Sequence, residues 1–439
     1  MKGRAFSGGI HMPHYKEFTY NIPIETIMPR VGQEMVYPMS QHIGAACLPV
    51  VNVGERVIAG QKIGESASFI SSTIHSSVSG MIIDIRDVLT PGGGVSNAVI
   101  IQCDGRHSEN RSVAVEKDIS RLPAFSKEQI LSKIKEAGVV GMGGAGFPTH
   151  IKLNPAPEKK IDYIIANGAE CEPYITADHL AMLNEADKLI AGLQIIMSLQ
   201  SGSKGIIAVE SNKPDVIALL EHKIRGLPNI EMARLGTKYP QGSERQIIYS
   251  CTGRKVPLGG LPQDVGCIVC NVATIMAVYD AVMNSRPLIS RIVTISGDGA
   301  VNKGNFRVLT GTRLKDLLMS TGNPFDETVR KIICGGPMMG NAVYDVKIPI
   351  TKTTSAFLLF SKHEAELPAE QACIRCGRCV NACPMGLMPI FLNRDMLTGD
   401  IEMFKKGRGF DCIECGSCSY VCPSGRHIVQ SVVVGKRGV

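Results

Sequence analysis

Over residues 1–115 the apolar positions fall in short alternating segments, rich in Val, Ile, Gly and Ser and broken by glycine turns. The half-motif Pro49-Val-Val-Asn-Val-Gly54-Glu-Arg-Val-Ile-Ala-Gly60-Gln-Lys-Ile-Gly64 returns loosely at Ile74-His-Ser-Ser-Val-Ser-Gly80-Met-Ile-Ile-Asp. Short strands between such turns predict a small β-barrel or sandwich. From Ser126 the period lengthens. Ser126-Lys-Glu-Gln129 has the form of a capping box, and Ile130, Leu131, Ile134 and Ala137 share one helix face. A buried strand is expected over 161–166, an amphipathic helix over about 177–199 and a strand over 204–210. A helix opened by Pro214 and a strand near Ile230 follow. The apolar stretch from Val265 to Met283 reads as one buried helix, because Asn271, Thr274 and Asp280 interrupt it too often for a membrane span. Strands and helices alternating at this pitch predict a mostly parallel, helix-covered sheet over 125–288. Arg291–Ser296, a glycine-rich turn, Asn305–Leu309 and a helix from about Thr312 predict a small α+β module over 289–345. The remaining segment, 364–439, is set apart by its cysteines, and its linker from Asn393 to Phe410 is long enough for a helix.

Composition adds little and excludes some. A hydrophobic content of 44% with 20% charged residues is that of a globular protein with several cores. A net charge of +7 over 439 residues is mild, and no basic run with interleaved aromatics points to nucleic acid. The tail is locally basic (Lys405, Lys406, Arg408, Arg426, Lys436, Arg437), which reads as a solvated face able to meet an acidic partner or an anionic membrane surface. Lys2 and Arg4 have no apolar segment behind them, so no secretory signal is expected. Fifteen cysteines without one point to the reducing cytoplasm.

Eight of those cysteines form two identical runs, Cys373-x-x-Cys376-x-x-Cys379-x-x-x-Cys383-Pro384 and Cys412-x-x-Cys415-x-x-Cys418-x-x-x-Cys422-Pro423. This is the spacing of a protein holding two [4Fe–4S] clusters, in which the fourth cysteine of each run serves the other cluster. The expected sets are Cys373, Cys376, Cys379 with Cys422, and Cys412, Cys415, Cys418 with Cys383. Structural zinc prefers two CxxC pairs further apart. The other cysteines, including Cys267-Ile-Val-Cys270 in its apolar run, lack ligand spacing and are expected to be buried and inert.

The second signal is Gly138-Val-Val-Gly141-Met-Gly143-Gly144-Ala-Gly146-Phe147-Pro148-Thr-His-Ile-Lys152. It contains G-x-G-x-x-G, yet a helix precedes it and Pro148 follows, whereas a dinucleotide fingerprint follows a strand and opens a helix. What the glycines provide is backbone that a flat or phosphorylated ligand can approach, with amide N–H groups facing it. The strand from Ile161 ends in Asn167-Gly-Ala-Glu170-Cys171-Glu172-Pro173, and loops at the carboxyl ends of parallel strands are the expected ligand site. The bland alternative is a surface turn.

These motifs carry resemblances. The N-terminal segment resembles the biotinyl/lipoyl-like barrel, but Ser66 to Ser77 holds no carrier lysine, so a scaffold is expected. The glycine loop with Lys152, followed by Asn-x-x-Glu-x-Glu-Pro, resembles the NADH- and FMN-binding flavoprotein subunit of respiratory complex I. Tyr239-Pro-Gln-Gly242-Ser243-Glu244 and Asn271-Val-Ala-Thr274 are similar to further stretches of that subunit, and the module after Ser290 resembles its soluble-ligand-binding (SLBB-like) β-grasp unit. The chain departs at Met142, Ala169, Cys171 and Ser243-Glu244. The whole arrangement, with Gly8-Gly9-Ile10-His11-Met-Pro13 and Cys334-Gly-Gly-Pro-Met-Met-Gly340, resembles the RnfC subunit of the bacterial Rnf complex. Cobalamin reductases share the flavin and cluster motifs but carry the glycine loop near the N-terminus.

The resemblance implies a multidomain α/β protein: a barrel-sandwich domain, a Rossmann-like FMN/NADH domain, a β-grasp module and a helical two-cluster ferredoxin domain. It implies a peripheral subunit on the cytoplasmic face of the membrane that exchanges hydride with NAD(H) through FMN and trades single electrons with other Rnf subunits, among them a ferredoxin-like cluster subunit and integral membrane subunits. A soluble diaphorase, a cobalamin reductase or a pure electron carrier are the alternatives. The cofactor-binding residues implied are Gly141, Gly143, Gly144, Gly146, Phe147, Lys152, Asn167, Glu170, Glu172, Tyr239, Gly242, Glu244, Asn271 and Thr274. Lys152 and the loop amides would anchor the flavin's phosphate or polar edge, Asn271 and Thr274 would contribute from the opposite side, and Glu172 and Phe147 would orient the nicotinamide. No side chain is asked to act as a general acid or base.

Overall fold

A computed structural model describes residues 3–106, 125–366 and 369–438, so the expected end of the first domain at 115 lies outside the described residues. Among the described residues the strands form four sheets. In the N-terminal domain, Glu34–Pro38, Val95–Cys103, Gly80–Leu89 and Arg56–Val57 make an antiparallel sheet in that order. A smaller sheet of Leu48–Pro49, Lys62–Glu65 and Ile74–His75 faces it across a core of Met35, Tyr37, Ile63, Ile74, Ile82, Val99 and Ile101. This is the expected barrel-sandwich.

The central domain opens with helix Lys127–Glu136, and Ser126 and Gln129 make the reciprocal capping box. Its sheet is four parallel strands in the order Ile230–Leu235, Lys204–Glu210, Tyr163–Gly168, Cys267–Asn271. These strands are apolar along their length because helices cover both faces. Ile164, Ile207 and Ile268 point into one core with helices Ala177–Asn184, Ala186–Ser198 and Val272–Asn284. Ile165, Ile206 and Val269 point into the other, with helix Glu244–Thr252.

Two sequence expectations need correcting. The helix over 177–199 is two helices, separated at Glu185, whose backbone (φ −124°, ψ 33°) leaves the helical region and breaks the spiral. The stretch Val265–Met283 is not one helix but strand Cys267–Asn271 followed by helix Val272–Asn284. β-branched Ile268 and Val269 pair with the neighbouring strand, and Asn271 caps the new helix by accepting from the Ala273 and Thr274 N–H groups.

The third sheet has six strands in the order Glu25–Ile27, Gly304–Leu309, Ser290–Ser296, Ala356–Phe360, Lys331–Cys334, Asn341–Val343. Ala356–Phe360 lies beyond residue 345 yet occupies the middle of the sheet, and Glu25–Ile27 is lent by the N-terminal segment. The cysteine segment is a repeated unit. Arg375 (φ 57°) and Gly377 (φ 72°) in the first run match Glu414 (φ 57°) and Gly416 (φ 74°) in the second. Helix Arg378–Ala382 packs on Ser417–Tyr420, and Pro389–Leu397 on Ile428–Arg437. The linker holds the end of one helix and the short helix Ile401–Lys406. Among the described residues no helix is long and apolar enough to cross a membrane.

Candidate functional site: a glycine loop and a cysteine domain

Helix Lys127–Glu136 stops at Ala137, and Gly138 turns the chain with φ 67°. The loop that follows is pinched at its base, where Val140 bridges Pro148 and the Gly141 N–H donates to the Phe147 carbonyl at 2.9 Å. Gly143 and Gly144 are exposed at its tip. A Cβ on Gly143 would lie 3.2 Å from that of Asn271, while one on Gly144 would meet nothing within 4 Å. Gly146 (φ 70°) is wedged against Thr353 and the His42 backbone, so the barrel and the six-stranded sheet both brace the loop. The Met142 N–H donates to Thr274 Oγ1 at 2.8 Å, which sets the loop over the first turn of helix Val272–Asn284. Bare backbone beside a helix N-terminus is a cradle for an anionic, flat group.

Asn167 and Asn271 are register partners at the carboxyl ends of adjacent parallel strands. Asn167 donates through Nδ2 to the Gly242 carbonyl (2.8 Å) and accepts from the Ala169 N–H (3.1 Å), lacing the Tyr239–Glu244 loop to the Asn167–Glu172 loop. Asn271 donates to Asp178 at 2.6 Å. Lys152 and Glu244 form an ion pair of 2.6 Å, a third exposed on each side. Burial opposes the Lys152 charge, but Glu244 and Cys270 outweigh it and raise its pKa. These contacts gather Gly141–Phe147, Lys152, Asn167, Gly242, Glu244, Asn271 and Thr274 into one region.

The two acidic-loop carboxylates are held by partners of their own. Glu170 is buried, accepts from the Asp178 N–H at 2.8 Å and faces the Lys16 ammonium at 3.8 Å. Its Oε2 has no hydrogen-bond partner among the described residues, and burial raises its pKa against the pull of Lys16. Glu172 accepts at Oε2 from the Met338 N–H (3.1 Å), and its Oε1 lies 3.5 Å from Tyr239 Oη. Burial raises its pKa to about 7 against the pull of the Met338 N–H, Lys16 and the Met339 N–H. Neither Lys16 nor Asp178 carries a signal in the sequence, and Met338 stands out there only as part of the Cys334–Gly340 motif. Lys16 reaches the site on an N-terminal strap: its Nζ donates to the Glu172 carbonyl at 3.0 Å and to Ile175 O. Gly8-Gly9-Ile10 was the one visible signal of that strap. Gly9 donates to Ala382 O (2.9 Å), and Ile10 bridges Tyr239.

The cysteine domain meets this region directly. Tyr239 Oη donates to the Cys415 carbonyl at 2.7 Å, and Gln246 Nε2 to the Pro384 carbonyl at 3.3 Å. Cys383, Cys412, Cys415 and Cys418 line one apolar cavity with Leu387 and Leu392. Burial first, and then the neighbouring Cys412, Cys415 and Cys383, push the Cys418 thiol up to about 12. Cys379 lies beside Cys422 in a separate small core, while Cys373 and Cys376 are exposed. Backbone N–H groups already point at sulfur: Arg375 at Cys373 (3.4 Å), Leu387 at Cys383 (3.4 Å) and Glu414 at Cys412 (3.3 Å). Cys383 of the first run thus shares a cavity with three cysteines of the second, Cys379 lies beside Cys422, and the glycine loop leaves backbone open to a flat, anionic group such as a flavin nucleotide.

Three family descriptions match the chain: the RnfC barrel sandwich hybrid domain over residues 4–106, the Nuo51 FMN-binding domain over 134–280 and a 4Fe-4S dicluster domain over 372–427. The C subunit of the proton-translocating ferredoxin:NAD(+) oxidoreductase complex of Clostridium ljungdahlii is 43% identical over 92% of this chain and 86% of its own length. The C subunit of the Na(+)-translocating complex of Acetobacterium woodii is 39% identical over 100% of this chain and 98% of its own. The fold is shared with a chain of NAD+-reducing [NiFe]-hydrogenase in the H2-reduced state (TM-score 0.51, 19% identity), over 74% of this chain and 63% of that one. Fold and site together define an iron–sulfur protein that joins an FMN-binding domain of the complex I type to a dicluster domain. Within that class, the chain belongs to the RnfC family, the C subunits of the ion-translocating Rnf oxidoreductase complexes.

Proposed function

We propose that this chain is the peripheral subunit, on the cytoplasmic face of the membrane, of an ion-translocating ferredoxin:NAD oxidoreductase, and that it is where NAD(H) exchanges electrons with the complex. FMN, when bound, supplies conversion between paired and single electrons, and the two clusters supply one-electron carriage. The chain's own residues hold and orient. The Gly143–Gly144 amides and the first turn after Asn271 receive the flavin nucleotide, with Thr274 fixing the loop above that turn. Lys152 adds positive charge at the rim, where Glu244 now neutralises it. Phe147 and Glu172 orient the nicotinamide. Cys415 and Cys383 belong to the set lying against the central domain, and exposed Cys373 and Cys376 to the set facing a partner subunit.

The finer domain division belongs to the same proposal: a scaffold barrel over 1–115, the FMN and NADH domain over 125–288, an SLBB-like β-grasp module over 289–345 completed by Ala356–Phe360, and the ferredoxin-type domain over 364–439. The observation that carries the proposal is the 2.7 Å bond from Tyr239 to Cys415, which ties the candidate nucleotide cleft to a cluster-ligand loop without an intervening layer. Anaerobic reconstitution with cofactor analysis tests it. One FMN and two clusters per chain are expected, together with co-purification with membranes. Cluster bands without flavin bands would make the chain a simple electron carrier, and absence from membranes would make it a stand-alone diaphorase.

A further inference from the structure

The motif Cys334-Gly-Gly-Pro-Met-Met-Gly340 has no role so far, and the structure makes it the tip of a hairpin. Its arms, Lys331–Cys334 and Asn341–Val343, pair with Cys334 opposite Asn341. The tip closes on itself through the Gly340 N–H, which donates to Gly336 O at 2.8 Å, and is tied to the sheet by the Gly335 N–H donating to Ala356 O at 2.9 Å. This rigid tip stands between two parts of the site. On one side Met338 lends its N–H to Glu172 Oε2 (3.1 Å), and Gly336 lies so close that a methyl group there would fall inside the Glu172 carboxylate. On the other, a Cβ on Gly416, next to Cys415, would lie 2.9 Å from Met338 O.

The state of Glu172 follows from this packing. No ion pair with a Lys or Arg side chain is formed by its carboxylate among the described residues. Oε2 is held by the hairpin tip. Oε1 is 3.5 Å from Tyr239, whose single hydroxyl proton is directed to Cys415 O at 2.7 Å. Oε1 therefore keeps lone pairs that a ligand hydroxyl or amide can use. Gly336 approaches the Glu172 carboxylate as only a residue without Cβ can.

We infer that the Gly335–Gly340 tip is a wall of the nucleotide cleft, and that Gly336 and the Met338 N–H are positioning groups that aim Glu172 Oε1 at a hydroxyl or carboxamide donor of the dinucleotide. This rests on the reading of Glu172 as a nicotinamide-nucleotide contact. Gly336 has no left-handed φ, and the three atoms nearest to a Cβ there all belong to the Glu172 side chain.

The test is calorimetric binding of NAD+ to the reconstituted full chain, with KM and kcat for NADH measured alongside. Gly336→Ala should raise the Kd for NAD+ and the KM by about tenfold, the loss of one hydrogen bond to a charged group, with FMN and iron contents unchanged. In a Glu172→Ala background, which removes all three of those atoms, Gly336→Ala should add no further loss. If Gly336→Ala alone does not fold, the double variant should still fold and match Glu172→Ala. An unchanged Kd in Gly336→Ala, or an equal further loss in the Glu172→Ala background, overturns the inference. Wild-type protein that binds no NAD+ overturns the reading beneath it.

Discussion

The hydroxyl of Tyr239 lies 2.7 Å from the carbonyl oxygen of Cys415, a hydrogen bond between the edge of the candidate nucleotide cleft and the loop of a cluster ligand. Both groups are buried. Ile10 of the N-terminal strap clamps the Tyr239 backbone from behind with two hydrogen bonds, 2.8 and 2.9 Å long. Strap and cysteine domain thus meet at one residue, the strap on its backbone and the cysteine domain on its side chain.

Tyr239→Phe removes that bond and leaves the Cys415 carbonyl buried without its donor. The expected cost is about 1–3 kcal/mol of stability. NADH should still bleach the flavin, while the cluster absorbance follows more slowly. Stopped-flow absorbance at the two bands separates the steps, and equal slowing of both contradicts this placement of Tyr239.

Lys152→Ala removes the cation at the rim of the glycine cradle and leaves Glu244 unpaired. FMN should be released on desalting while the iron content stays at the wild-type value. Retained stoichiometric flavin would remove Lys152 from the site.

The exchanged fourth ligands predict a pairing across the two runs. Cys415→Ala and Cys383→Ala should each lose the same cluster, the one in the shared cavity of Cys383, Cys412, Cys415 and Cys418. Cys376→Ala and Cys422→Ala should lose the other. Each variant should hold about half the wild-type iron, and NADH should still reduce its flavin. EPR tells the pairs apart, and Cys383→Ala grouping with Cys376→Ala refutes the exchange.

Lys352 is fully buried where the barrel, the start of the glycine loop and the six-stranded sheet converge, and it donates to Thr73 O and, at 2.7 Å, to Gly138 O. Burial pushes its pKa down from 10.5 to about 7, with Cys47 opposing, and a neutral amine has the two donors these carbonyls need. The unfolded chain keeps this proton up to its ordinary value and the folded chain only below about 7. Folding therefore releases a proton across that window, and stability rises with pH through it. Chemical denaturation of wild type and Lys352→Met between pH 7 and 10 should show the wild type gaining on the variant as pH rises. Parallel curves contradict this.

Local signals were readable in the sequence and distant ones were not. The Ser126–Gln129 capping box and the strand over 204–210 stand where local pattern put them, because propensity and packing agree there. The strand hidden in Val265–Met283 was missed because one residue, Asn271, both ends it and caps the next helix, and an apolar run does not show which state each half adopts. The cysteine runs were legible because their spacing is the ligand geometry itself. Glu170 and Glu172 could be named but not aimed: Lys16 and the Gly335–Gly340 tip, which turn them, come from far along the chain. Ala356–Phe360 lies outside the expected third module because its place between two earlier strands is a matter of topology, with no mark in its own five residues.

The central claim is that one chain takes electrons from a nicotinamide in one domain and delivers them singly to iron–sulfur centres in another. The most direct measurement is an anaerobic NADH titration of the reconstituted protein, followed by absorbance and EPR together. Bleaching of the flavin accompanied by reduced-cluster signals from the same chain is the predicted result. A protein whose clusters are reduced by dithionite, but whose flavin and clusters both stay oxidised under excess NADH, would contradict it.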